Sequence, residues 1–175
     1  MDATDIAIRL IGLFYVFAGI VGSRAMLSSL LMDRALSAIG NTPAPRGELA
    51  RTVWLMGVTL LVLYSGAALV LGLKLASYLF VVSVALQAFY FFVAAPRYFD
   101  VHDAPDAQGR SQSMNAFIIF TLATCVVLWA HSRGILVDSH DVPWPALALA
   151  GALAALQTGY VIYTFVTLLR PGRDA

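Results

Sequence analysis

Ionisable residues are scarce in this chain, and their distribution matters more than their number. Asp, Glu, Lys and Arg make up 12% of its 175 residues, against about a quarter in soluble proteins. None stands near the centre of any of five long apolar runs. An ionisable group held at mid-depth in a bilayer is costly and usually functional. Its absence argues against a proton pump, a transporter with midplane carboxylates and a voltage sensor, although Gln and hydroxyl groups could still line a neutral path. Cysteine occurs once, at Cys125, which excludes an internal disulfide and any cysteine-rich metal site. Its place inside an apolar run marks it as a small core residue. Formal net charge is +1, too weak a field to recruit nucleic acid. No Gly-x-Ser-x-Gly elbow, His-Glu-x-x-His pair or glycine-rich phosphate loop is present. No catalytic residue, cofactor or metal is therefore assigned.

What remains is apolar: 60% of the residues are hydrophobic and the mean hydropathy is +0.81. Backbone groups in hydrocarbon must bond internally, and no period-two alternation supports strands, so the runs are expected to be helices. The fold class is thus all-α, a single integral membrane domain over 1–175 with five spans at about 6–22, 52–73, 76–95, 114–130 and 144–169, each near the roughly 20 residues a bilayer demands. The first run is short and bounded by Arg9 and Arg24. It spans if both arginines snorkel; otherwise it lies partly in the interface and four spans remain. Asp2 and Asp5 at its head, with no Ala-x-Ala after it, favour an uncleaved span over a signal peptide.

Between the first two spans, Leu27, Leu30, Leu31, Ala35 and Ile39 recur at helical spacing. They predict a short interfacial helix over 24–39 that ends at Gly40-Asn41, with Pro43 and Pro45 barring helix beyond. With five spans, Arg24, Arg34, Arg46, Arg51, Arg97, Arg110, Arg170 and Arg173 share one side, and Arg9, Lys74 and Arg133 the other. The positive-inside rule then puts the amino terminus outside and the carboxyl terminus in the cytoplasm. Trp54, Trp129, Trp144, Tyr78 and Tyr98 fall at span ends, where aromatic belts lie. Ten arginines against one lysine, with abundant alanine, suggest a GC-rich genome and a bacterial inner membrane.

Two amides stand at mid-depth: Gln87, ten residues before Arg97, and Gln157, thirteen from both Trp144 and Arg170. If spans three and five are neighbours, these amides can bond each other or a nearby hydroxyl as interhelical glue. Alternatively, with Tyr90 from the aromatic run Phe89–Phe92, they form a polar spot that orients a lipid-like head. Gly151, Ala155 and Gly159 give span five a small-residue face suited to close approach, of another helix of this chain first and of a second protein otherwise. Ala18 and Gly22 are a shorter version in span one. Two loop groups, Asp100, His102, Asp103 and Asp106 inside and His131, Asp138, His140 and Asp141 outside, read as solvated charge rather than metal ligands.

Three functions follow. The first is a noncatalytic accessory or scaffold subunit packing against a membrane partner or a second copy of itself. The second is a binder or carrier of an apolar small molecule between spans three and five, and the third a surface enzyme using one of the His and Asp groups. Membrane lipids are partners in every case.

Overall fold

A computed structural model describes residues 2–40, 46–99 and 107–169. They form five long helices: α1 (Ala3–Gly40), α2 (Arg46–Val70), α3 (Leu75–Phe89, continuing as a wider helix over Tyr90–Phe99), α4 (Ala107–Ser132) and α5 (Trp144–Leu169). All five are long and apolar enough to cross a membrane. The chain is an all-α bundle of the kind expected of a multi-pass integral membrane protein. Successive helices run antiparallel, and α1 through α4 form a consecutive row of neighbours, while α5 leaves α4 behind to pack against α1 and α2.

The separate interfacial helix does not exist. Residues 24–39 continue α1 without a break, giving 38 residues and a length of about 57 Å at 1.5 Å per residue, far more than the roughly 30 Å hydrocarbon layer. No proline or glycine interrupts 23–39, and extending an existing helix is easier than nucleating a new one. Of the apolar stripe, Leu27 is buried with Met56 and Val161 and Leu30 is buried too, while Leu31, Ala35 and Ile39 are exposed.

Helices α2 and α4 end alike, and for a reason written in the sequence. Gly72 and Gly134 sit at φ 71° and 69°, left-handed values that glycine adopts without penalty. Leu73 N–H donates to Ala68 O and Gly72 N–H to Leu69 O, while Ile135 and Gly134 repeat both bonds on Ala130 and His131. Each helix thereby caps its last carbonyls in a Schellman motif. The two turns join, since Lys74 N–H donates to Val137 O and Val137 N–H to Gly72 O. Buried Leu136 plugs the bundle below them.

The third span, expected over 76–95, runs on as helix through Pro96 to Phe99. It does so by widening to a π-helix over Tyr90–Phe99, which relieves the clash of the proline ring with the preceding turn. At the middle of the bundle Tyr15, Phe80 and Phe120 meet, with Phe80 stacked on Phe120 at 5.2 Å and Tyr15 edge-on to both.

Candidate functional site

The glycines that set the closest helix approach are in α1 and α2. A Cβ added at Gly12 would lie 2.7 Å from Val70 N, and one at Gly66 2.6 Å from Val16 N. Gly19 rides as closely on Leu63, and Gly22 on Thr59. The span-five face does not serve this purpose. Gly151, Ala155 and Gly159 are all exposed, and nothing lies within 4 Å of a Cβ built at Gly151 or Gly159, so intramolecular approach at that face is overturned. Helix α5 turns Ala154, Gln157 and Val161 inward instead. Cys125 is exposed as well, not a core residue. Both misplacements share one cause: a membrane helix is apolar on every side, so hydropathy does not distinguish a face toward lipid from one toward protein.

The two mid-depth amides part company. Gln157 Nε2 donates to Ser23 Oγ at 2.9 Å, and Ser23 Oγ in turn donates to Ile20 O. Beside this bond Tyr64 Oη and Thr158 Oγ1 lie 2.8 Å apart, so α5 is pinned to both α1 and α2 by side-chain polar contacts. Gln87 is on the far side of the α1–α2 pair. Spans three and five are not substantial neighbours, and Gln87 and Gln157 line different cavities.

The cavity that contains Gln87 lies among α1, α2, α3 and α4 and has a volume of about 430 Å³, within the range of roughly 300–1,000 Å³ common for small-molecule sites. Tyr15, Trp54, Thr59, Gln87, Tyr90 and Ser113 bring its polar groups, set among Phe, Val and Leu side chains. Tyr90 is placed by Arg51, whose Nε donates to its hydroxyl oxygen at 3.1 Å. Thr59 donates its hydroxyl to Leu55 O. The Trp54 indole N–H is buried without an acceptor among the described residues, which is rare in folded proteins. Half-buried Gln87 makes no side-chain hydrogen bond to the described residues. Of the aromatic run, Tyr90 and Phe91 enter the cavity wall, while Phe89 and Phe92 are exposed. Trp54 was legible as an interfacial anchor; its unpaired N–H was not.

A second cavity, about 490 Å³ between α1, α2 and α5, is walled by Leu, Val, Ile and Ala except at Gln157. Since that amide is already bonded to Ser23, the space is an apolar groove of the sort an acyl chain fills.

At the end of the bundle that carries the two glycine turns, the outer loop group divides. His131 Nδ1 lies 2.9 Å from Ser77 Oγ, whose hydrogen goes to Lys74 O. The ring nitrogen must therefore be the donor, so Nδ1 carries a hydrogen. Asp138, His140 and Asp141 do come within 4.8 Å of one another, but Lys74 Nζ occupies Asp138 Oδ2 at 2.6 Å. That hydrogen bond raises the Lys74 pKa and lowers that of Asp138, each group holding the other charged. The ion pair ties the α2–α3 turn to the α4–α5 loop. The inner group Asp100, His102, Asp103 and Asp106 lies outside the described residues, as do Pro43, Pro45, Arg170 and Arg173.

None of the described residues lining either cavity is ionised, and neither wall brings a nucleophile together with a base. The arrangement is suited to holding a molecule. In comparisons with protein-family models, with curated proteins and with solved structures, the chain matches no family model, no curated protein and no solved structure.

Proposed function

We propose that this chain is a bacterial inner-membrane protein, amino terminus outside and carboxyl terminus cytoplasmic, that binds or carries a lipid-like molecule in the cavity among α1, α2, α3 and α4. The location differs from the gap between spans three and five that the amide depths suggested, because α5 packs on the other side of the α1–α2 pair. One observation carries the reading: an apolar cavity of ligand size holds an amide, Gln87, that no described residue satisfies. An unpaired polar group in hydrocarbon is costly, and an occupant with a polar head removes the cost. Ala116 lines the cavity and is exposed at its edge, so Ala116→Trp fills the mouth from outside the core. Wild-type protein extracted in discs of its native membrane is expected to carry a lipophile enriched over the bulk lipid, and A116W to lose at least about four fifths of it, measured by mass spectrometry of solvent extracts. Equal lipid profiles for the two proteins and the bulk membrane would end this reading.

The exposed face of α5 favours a second reading, that of a noncatalytic accessory subunit. Helix α5 is the least buried of the five, and Gly151, Ala155 and Gly159 leave its backbone open to a close neighbour in the same membrane. Paired substitution G151L/G159L is then expected to convert an assembly seen in mild detergent into single chains without loss of helicity. A wild-type chain that is monomeric under cross-linking removes this reading and leaves the first untouched.

A further inference from the structure

We infer that the cavity among α1, α2, α3 and α4 selects a neutral lipophile whose head carries a carbonyl oxygen, admitted sideways from the bilayer along the seam between α1 and α4. The inference rests on the reading that this cavity holds a lipid-like molecule, and it names the class.

Charge is the first argument. The lining contains no Asp, Glu, Lys, Arg or His, so an ionised head would face aromatic and aliphatic side chains with no counter-ion, an arrangement that burial penalises heavily. Arg51 stands one bond back from the wall, with its Nε on the Tyr90 hydroxyl. A neutral head avoids the penalty altogether.

Hydrogen-bond inventory is the second. Trp54 lines the wall with its ring, while its N–H is enclosed away from the cavity surface. Gln87 adds two unpaired amide hydrogens. Thr59 has its hydroxyl hydrogen committed to Leu55 O. A ketone, quinone or ester carbonyl accepts the Gln87 amide hydrogens without bringing a charge.

Access is the third. Helix α4 rests on α3 and only brushes α1, while both helices contribute to the lining. Phe14 on α1 and Ser113, Ala116 and Ile119 on α4 are exposed along that seam. Within a membrane this exposure faces lipid, so a lipophile reaches Gln87 without crossing water. A head group with the first part of its chain suits a cavity of about 430 Å³, and a longer tail can trail into the bilayer.

Isoprenoid quinones and diacylglycerols share this chemistry, and one titration separates them. Exposed Trp129 and Trp144 are replaced by phenylalanine, leaving Trp54 as the only tryptophan. The full-length protein in phosphatidylcholine discs is titrated with a benzoquinone bearing a ten-carbon tail, then challenged with dioctanoylglycerol or with decyl phosphate. Saturable quenching of Trp54 is expected, with decyl phosphate failing to reverse it. Gln87→Met, which keeps the length of the side chain and breaks no protein hydrogen bond, is expected to raise the half-saturating quinone concentration at least about fivefold while the protein stays monodisperse. Reversal by dioctanoylglycerol supports recognition of any neutral carbonyl; quenching that dioctanoylglycerol does not reverse supports the quinone head. Displacement by decyl phosphate overturns the inference and leaves the cavity a lipid site. Quenching that rises linearly and is unchanged by A116W overturns both.

Discussion

Gly66→Leu is expected to force α1 and α2 apart and to destabilise the bundle by about 3 kcal/mol or more, the upper part of what overpacking costs. A Cβ at Gly66 would stand 2.6 Å from Val16 N and 2.8 Å from Gly12 O. Those are backbone atoms, which no rotamer change can move aside. Even Gly66→Ala should lose stability. Alanine gains up to about 1 kcal/mol over glycine in a helix interior, but one methyl forced against the α1 backbone at this distance outweighs that gain. Gly57, in the same helix with nothing within 4 Å, is the internal control. There the propensity term acts alone, and Gly57→Ala should be neutral or slightly stabilising. Midpoints of unfolding in mixed micelles, with helicity as the signal, measure all three variants. If G66A and G57A shift the midpoint in the same direction, the close approach of α1 and α2 is not as described.

How far the sequence discloses such contacts depends on what hydrocarbon hides. The five spans were legible because a bilayer demands some 20 apolar residues in a row, and the fifth matches Trp144–Leu169 at both ends. Their inward faces were not, because lipid tails resemble a protein interior and the stripe that orients a soluble helix is missing. Gly12 and Gly19, seven residues and two turns apart, did carry a usable signal, since that spacing puts both on one side of α1. Gly22, expected with Ala18 to pack closely, does lie against Thr59, whereas the small-residue face of α5 is exposed. Gln87 stood out as a polar group at mid-depth, but its surroundings depend on which helices are neighbours. Neighbour choice is set by long-range contacts such as Gln157 with Ser23, 134 residues apart, and no local pattern encodes those. The continuity of α1 was obscured by Arg24, which suggested a membrane boundary where the helix simply continues past it.

Phe80→Ala should be among the most damaging truncations in the bundle, and its effect should reach the cavity. Phe80 has no exposed surface. It stacks on Phe120 and meets the edge of Tyr15, and both partners are cavity-lining residues. In a soluble core, Phe→Ala costs roughly 3–5 kcal/mol, part transfer of the ring from water and part the space left behind. A membrane removes much of the first part, because lipid is already apolar. The second remains, since lost dispersion contacts are not replaced in a void. The expected loss is therefore near the lower end, about 3 kcal/mol. Phe92→Ala provides the contrast: its ring is 64% exposed and leaves no internal void, so the cost should be small. Loss of the buttress also frees Tyr15 and Phe120 to shift into the vacated space. F80A is accordingly expected to weaken the saturable quenching of Trp54 by the quinone, whereas Phe80→Leu, which refills most of the volume, should recover much of both stability and binding. A Phe80→Ala protein that unfolds no more readily than Phe92→Ala would mean that these three rings do not hold the wall of the cavity in place.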